Sequence, residues 1–252
     1  MFGDMADLIS ARPSALAAEP ARLTQGQLIA ALATSAVCGI LFWQTWPLYP
    51  FKLLVVLMHE SGHAVATHLI GGSVDWITIS PNEGGLTQSR YVDTLFHHIV
   101  VSSAGYVGST VSGCVLIFTA ARARTGKLPL LLLAAWTLFT ALVWVGFRDL
   151  FTLGFTLACT FALFVVARFG NSLVRKLLLA FLASFSVLYA LFDIKDDLLH
   201  LNGSSQTDAA ALAQVTFIPA IVWGVAWGAL SLVLVFLTLR LALGNKAAIA
   251  GG

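Results

Sequence analysis

Residues 51–70 of the chain read FKLLVVLMHESGHAVATHLI. This stretch is largely apolar and about 20 residues long, which is the length of an α-helix that crosses a lipid bilayer. Its middle nevertheless carries three ionisable side chains, those of His59, Glu60 and His63. Such groups are costly inside a membrane unless they are paired, hydrated or bound to a metal, so they indicate a functional site. We therefore predict that the protein is built around this helix.

The spacing of the ionisable residues predicts a metal site. His59 and His63 are four residues apart, so an α-helix places both imidazoles on one face, where they can bind one ion. With Glu60 they form the HExxH pattern of zinc hydrolases, in which zinc activates a water molecule and the Glu takes up its proton. At a rise of about 1.5 Å per residue, His59 lies roughly 14 Å beyond Pro50, near mid-depth in the bilayer. The alternative is a pair of buried histidines hydrogen-bonded to Glu60.

The composition is that of a membrane protein. The 252 residues are 58% hydrophobic and 10% charged, with a mean hydropathy of +0.88, which excludes an ordinary soluble domain. The net charge of +2 and the scattered basic residues argue against a nucleic-acid partner. We predict a polar segment over residues 1–26, one transmembrane domain over residues 27–244 and a tail over residues 245–252. The domain is expected to be all-α and polytopic with about seven transmembrane helices, at residues 28–46, 51–70, 96–121, 128–147, 150–169, 173–193 and 215–243.

A polar stretch, GGSVDWITISPNEGGLTQSRYV at residues 71–92, follows the HESGH helix. Two β-prone segments, at residues 74–80 and 86–92, flank the turn residues PNEGG, so we predict a β-hairpin beside that helix. Its strands either form a solvated loop or offer an edge that pairs with an extended substrate segment. The sequence leaves both interpretations open.

The third apolar run contains the small residues of SSAGYVGSTVSG, at residues 102–113. Small residues let membrane helices approach closely, so this run is predicted to pack tightly against the HESGH helix. His97 and His98 lie at its beginning. We interpret them as interfacial side chains rather than metal ligands.

A third metal ligand has to come from elsewhere in the chain. Acidic residues cluster in FDIKDDL at the end of the sixth run, and Asp193 is the deepest of them. We therefore predict Asp193 as the third ligand, with Asp197 as the alternative. The other interpretation is an acidic helix end paired with Lys195.

Two further aspartates have simpler interpretations. Asp149 lies beside Arg148 between the fourth and fifth runs, where a local surface ion pair is expected. Asp208 precedes the last run and is interpreted as the cap of the helix that follows, although it could also reach back to the site.

Taken in order, these motifs resemble the site-2 protease family of intramembrane zinc metallopeptidases, in particular its bacterial and plant branch with the HExGH motif. The resemblance runs from Phe51 to Leu243, and implies that zinc is the cofactor, that His59 and His63 bind it and that Glu60 is the general base. The NPxPxxxDG-like segment that supplies an Asp ligand in better-known members does not occur in this sequence. The choice of Asp193 as third ligand is therefore based on its position alone. The motifs are HESGHAVATHLIGG, NEGG, SAGYVGS, FDIKDDL, TDA at residues 207–209 and WGVAW.

The function expected from these residues is hydrolysis of peptide bonds in or next to a membrane-spanning substrate. We expect a multi-pass protein of a bacterial inner membrane, whose partners are a membrane protein substrate and the lipid bilayer. The alternative is a non-proteolytic scaffold or complex subunit that keeps the fold. A count of Lys and Arg between the spans, with Lys52 among them, places the hairpin outside the cytoplasm, whereas the resemblance places it inside.

Overall fold

The computed structural model describes residues 22–199 and 207–244, and all side chains in these ranges except those of residues 193 and 195–199. Most of the predicted polar N-terminal segment, up to residue 21, and the whole predicted tail, residues 245–252, lie outside this part. The described residues form a mostly helical protein with one two-stranded antiparallel sheet. In chain order the elements are α1 (Gln25–Leu41), α2 (Tyr49–Leu69), β1 (Ser73–Ile79), β2 (Gly85–Arg90), α3 (Leu95–Arg122), α4 (Lys127–Thr140), α5 (Leu150–Phe169), α6 (Ser172–Leu199), α7 (Asp208–Thr216) and α8 (Ala220–Leu243).

Within the described ranges, five helices are long and apolar enough to cross a membrane, and each matches a predicted run. The first two predicted runs correspond to α1 and α2. Of these, α1 is apolar but only 17 residues long, while α2 has 21 residues but carries Lys52, Glu60 and three histidines. The predicted count of seven spans is therefore not confirmed. The five candidate spans are Leu95–Arg122, Lys127–Val145, Leu150–Phe169, Ser172–Phe192 and Ala220–Leu243.

The HESGH helix, α2, is enclosed by other parts of the protein. Of its 21 residues 13 are buried, and it contacts α3, α6 and both strands. Lys52, which entered the count of surface basic residues, is only 4% exposed. Its Nζ lies 3.0 Å from Oε1 of Glu83 in the hairpin turn and 4.9 Å from the ring centre of Trp43. The positive charge of Lys52 is therefore paired inside the protein, and the count was wrong to treat it as surface charge.

Close contact between α2 and α3 depends on glycine. A Cβ atom at Gly62 of α2 would overlap the carbonyl oxygen of Ala104 in α3, and a Cβ atom at Gly108 would lie 3.0 Å from the α-carbon of Gly62. The two backbones therefore touch where no side chain intervenes. The predicted close packing of the small-residue run against the HESGH helix is confirmed.

The predicted hairpin is present, and its strands begin and end one or two residues earlier than predicted. Ile77 pairs with Thr87 and Ile79 pairs with Gly85. Ile77 and Ile79 are fully buried. Because paired residues point to the same face of a sheet, Thr87 and Gly85 also face the protein interior. The hairpin contacts α2 through both strands, as predicted.

The fourth and fifth runs are separate helices. After α4 the chain makes one π-helical turn at Ala141–Val145 and then leaves the helix at Gly146, whose φ is +60°. The side chain of Asp149 accepts the first backbone N–H groups of α5 at 2.9 and 3.3 Å, so it caps that helix. The predicted ion pair with Arg148 is wrong, because the Arg148 guanidinium instead lies 4.8 Å from the ring centre of Trp76.

A small apolar cluster, distinct from the main core, holds α7 against α3 and α8. Two residues of α7 are fully or almost fully buried in it. The first turn of α7 is thereby placed beside the HESGH helix, since Tyr106 of this cluster also contacts the His59 ring at 4.9 Å. The cluster consists of Tyr106, Ile194, Ala209, Leu212 and Trp227.

Candidate metal centre

His59, His63 and Asp208 come together in the structure. The Nε2 atoms of the two histidines each lie 3.2 Å from Oδ2 of Asp208. The two imidazole rings have centroids 4.8 Å apart, as the spacing of four residues on one helix face predicts. Each side chain is at most 23% exposed. Among the described residues, these three form a group whose donor atoms, all within 4.8 Å of one another, could hold a metal ion.

Asp208 reaches the histidines because its neighbour caps the helix. The Oγ1 atom of Thr207 accepts the backbone N–H of Ala210 at 3.2 Å, which makes Thr207 the N-cap of α7. The interpretation of Asp208 as the cap is therefore wrong. As the first residue of α7, Asp208 directs its carboxylate towards α2 instead. A Thr directly before an Asp was the sequence signal for this arrangement, since Thr is itself a good cap.

The prediction of Asp193 as third ligand, and of Asp197 as its alternative, concerns side chains outside the described part of the structure. The backbone of α6 is helical at both positions. The assignment of either residue as a ligand remains a prediction.

The backbone around the histidines orients them. Nδ1 of His63 lies 2.7 Å from the carbonyl oxygen of Val101 in α3. A carbonyl only accepts hydrogen bonds, so Nδ1 carries a proton, and Nε2 is the nitrogen that a neutral imidazole would offer to a metal. Gly105, also in α3, faces both Nε2 atoms so closely that a Cβ atom there would overlap them. The space around the two donor atoms therefore exists because residue 105 has no side chain.

Glu60 is buried beside the same group, with 6% of its surface exposed. Its Oε2 atom accepts a hydrogen bond of 2.6 Å from Oγ1 of Thr87 on β2. A Cβ atom at Gly85, two residues earlier on the same strand, would overlap the Glu60 carboxylate. The hairpin therefore lies directly over Glu60, and neither contact was predicted from the residue pattern.

A cavity of about 420 Å³ connects these groups. Its wall includes His59, Glu60, His63 and Asp208 on one side and residues 83–89 of the hairpin on the other. In the described part of the chain, β2 pairs with β1 alone. One edge of β2 therefore remains without a partner strand among these residues, at the border of a polar cavity.

His97 and His98 lie at the beginning of α3, where local groups bind them. Nδ1 of His97 is 2.7 Å from the carbonyl oxygen of Val92, and Nε2 of His98 is 2.7 Å from Oδ1 of Asp93. Asp93 is 93% exposed at its side chain. Neither histidine belongs to the group of His59, His63 and Asp208.

The donor set fits a zinc ion. Ligand atoms in a tetrahedral site with bonds of about 2.1 Å are separated by ~3.4 Å, and Oδ2 of Asp208 lies 3.2 Å from each histidine Nε2. Neutral imidazole and carboxylate are both ligands that zinc accepts. Three protein ligands are also the number found in catalytic zinc sites, which keep a fourth position for water or substrate.

Comparison with protein-family models gives a match over most of the chain. The model of a family described as Peptidase M50B-like matches residues 31–238, a range that contains His59, Glu60, His63, Thr87 and Asp208. No curated protein and no solved structure matches the chain. The match and the five apolar helices together identify an integral membrane protein.

Proposed function

The chain belongs to the Peptidase M50B-like family, in agreement with its resemblance to site-2 proteases, and on this basis we propose that it is an intramembrane zinc metalloprotease. Its substrate would be a membrane protein, cut in or next to a transmembrane segment. The observation that carries the proposal is the convergence of His59, His63 and Asp208 next to Glu60 in one polar cavity. A bacterial inner membrane is the proposed location.

His59, His63 and Asp208 would hold the metal. A zinc ion bound there supplies Lewis-acid chemistry, in that it polarises a peptide carbonyl and lowers the pKa of a water molecule bound to it. The hydrogen bond from Nδ1 of His63 to Val101 keeps the imidazole in the tautomer that presents Nε2. Asp208 lies on a helix that is anchored separately, through Ala209 and Leu212.

Glu60 is proposed as the general base. Its carboxylate would take a proton from the attacking water and then deliver it to the nitrogen of the departing amine. A positioned general base of this kind contributes about 10²–10⁴-fold to the rate. Burial of Glu60 beside the two histidines supports this role.

The hairpin is proposed to bind the substrate. A peptide bond inside a helix is hidden, so a membrane segment has to unwind before it can be cut, and its freed backbone groups then need partners. An exposed strand edge supplies such partners by β-strand addition. The border of the cavity along residues 83–89 of the hairpin supports this interpretation over that of a solvated loop.

The number of ligands distinguishes this proposal from a non-proteolytic scaffold. A structural zinc site is usually closed by four protein ligands, whereas a catalytic site has three and an open position. The group in the described residues has three members and borders a cavity. This arrangement favours the protease.

The experiment combines metal analysis with proteolysis. The purified full-length protein is reconstituted in phosphatidylcholine vesicles with a set of single-span reporter proteins whose transmembrane segments contain Gly or Pro. We expect about one zinc per chain and cleavage by the wild type. Glu60→Gln should keep the zinc and lower cleavage by about 10²-fold or more.

Two further variants test the third ligand. Asp208→Asn should lose both zinc and cleavage, whereas the matched variant Asp193→Asn should keep zinc. Zinc loss in Asp193→Asn with zinc retained in Asp208→Asn would transfer the ligand role to Asp193. A wild type that binds zinc but cuts none of the reporters, or a Glu60→Gln variant that is fully active, would remove the proposed mechanism.

A further inference from the structure

Alternate residues of β2 contact α2, and all of them are small. Gly85 lies against the side chain of Glu60, and Thr87 is hydrogen-bonded to the same residue. Further along the strand, Ser89 accepts a hydrogen bond of 2.9 Å from Thr67. The period of two is that of a strand face, so one face of β2 is fitted to the helix that carries Glu60.

The Thr87 hydroxyl makes the shortest of these contacts. Its Oγ1 atom lies 2.6 Å from Oε2 of Glu60 and 2.9 Å from the Glu60 carbonyl oxygen. A hydroxyl has one proton, and 2.6 Å is the length expected when that proton is donated to a carboxylate. Thr87 therefore holds one oxygen of Glu60 by a charge-assisted hydrogen bond.

Gly85 restricts the movement of the Glu60 carboxylate from another direction. A Cβ atom at this position would overlap the end of the Glu60 side chain, so the carboxylate fits there because residue 85 has no side chain. A glutamate side chain has several rotatable bonds, and the hydroxyl at one point and the backbone at another restrict them. An ionised carboxylate has about four acceptor positions, so one bond from Thr87 leaves others for water.

From this geometry we infer that Thr87 is a positioning residue for the reaction, because it fixes the carboxylate of Glu60 in the orientation that accepts the proton of the attacking water. The inference rests on the proposed function and deepens it. Misplacement of a catalytic group by about 1 Å can cost about 10²-fold in rate. A residue that acts only through such placement should affect turnover more than substrate binding.

Thr87→Val tests the inference, because valine keeps the β-branched shape and removes the hydroxyl. With the most rapidly cut reporter, kcat should fall by about 10- to 100-fold, with KM and zinc content changed less than about twofold. Thr87→Ser restores the hydroxyl and should return kcat to within about threefold of the wild type. The matched control is Thr78→Val, which makes the same change in β1 next to Ile77 and Ile79, on the opposite face of the hairpin. It should leave kcat unchanged.

The outcomes separate this inference from the proposed function. If the wild type cleaves, Glu60→Gln does not, and Thr87→Val is as active as the wild type, then the inference fails and the proposed function stands. Equal losses of kcat in Thr87→Val, Thr87→Ser and Thr78→Val would show a merely structural role for the strand and would also overturn the inference. If the wild type cuts no reporter, the proposed function fails and the inference fails with it.

Discussion

Two pairs of histidines in this protein differ in spacing, burial and partners. His59 and His63 are four residues apart on α2, and their Nε2 atoms meet at a carboxylate 149 residues from His59. His97 and His98 are adjacent, and their partners, Val92 and Asp93, lie five residues away. The first pair lies on α2 between α3 and the first turn of α7, whereas the second is at a helix end beside an exposed carboxylate.

The comparison shows which property makes a histidine pair a candidate metal site. Residues four apart on a helix share a face and can address one ion, whereas adjacent residues point about 100° apart. The hydrogen-bond partners of His97 and His98 lie within seven residues along the chain. His59 and His63 meet the Asp208 carboxylate only when the chain is folded. Ionisable groups at this depth in a membrane protein are stable when they are paired with one another or bound to a metal.

The largest expected effect is loss of the metal. His59→Ala and His63→Ala should each lower zinc affinity by more than about 100-fold, since changes outside the ligand sphere already cost about 10–100-fold. His97→Ala and His98→Ala are the matched controls and should keep about one zinc per chain. Zinc content of the protein purified without added metal, followed by titration with a chelator, checks this prediction.

An unchanged zinc affinity in His59→Ala or His63→Ala would contradict the comparison, and so would zinc loss in His97→Ala or His98→Ala. The first result would make the buried pair a hydrogen-bonded core feature, which was the alternative interpretation of the sequence. The second would place the metal at the helix end.

Features set by neighbours in the chain could be predicted from the sequence. Helical spacing predicts that His59 and His63 share a face, and the turn residues PNEGG predict the hairpin. The small residues around Gly105 predict the close contact of α3 with α2, and each of the five candidate spans lies at a predicted apolar run. The shared helix face, the hairpin, the close helix contact and the helices themselves all follow from periodicity and local backbone preference, which are visible in the sequence.

Contacts between distant parts of the chain could not be predicted in the same way. Thr87 meets Glu60 across 27 residues, and Lys52 meets Glu83 across 31. Asp208 reaches the histidines because Leu212 and its neighbours anchor α7, and nothing in the spacing of acidic residues expresses that packing. The choice of Asp193 followed membrane depth alone, and it remains a prediction because that side chain lies outside the described part.

An effect of intermediate size is expected for the protein's stability. Breaking the Lys52–Glu83 ion pair should destabilise the fold more than breaking the His98–Asp93 pair. Lys52 is almost fully buried against Glu83, whereas Asp93 is 93% exposed beside His98. Lys52→Met leaves the partly exposed Glu83 carboxylate without its partner and should cost about 2 kcal/mol, while Asp93→Asn should cost at most about 1 kcal/mol. Thermal unfolding of the protein in detergent measures both, with Lys127→Met as the control at an exposed lysine.

Loss of the Lys52 charge should also reduce cleavage, because Glu83 is in the turn that leads directly to Gly85 and Thr87. If Lys52→Met is as stable as Lys127→Met, burial of Lys52 does not strengthen its ion pair. The difference between long-range and local partners would then hold for the two histidine pairs but not for the ion pairs.

The smallest expected effect concerns a local cluster at the start of α5, where Asp149 caps the helix. Thr152 donates its hydroxyl to Oδ2 of Asp149 at 2.6 Å and accepts the backbone N–H of Ile79 at 2.8 Å. The hydrogen bond from Thr152, with the backbone N–H groups of the first turn, lowers the pKa of Asp149. Asp149→Ala should therefore cost ~1 kcal/mol at neutral pH.

The pH dependence gives a sharper form of this prediction. A carboxyl group whose pKa is depressed in the folded protein stabilises the fold at pH values above its ordinary pKa of about 3.9, and that contribution is lost as the pH falls through the lower folded-state value. Asp149→Asn keeps the cap but cannot titrate. Its melting temperature should lie slightly below that of the wild type at pH 6, and the difference should shrink below about pH 4. A difference that stays constant down to pH 3 would show that Asp149 does not titrate with folding. The capping contact would then contribute through geometry alone, as a neutral cap does.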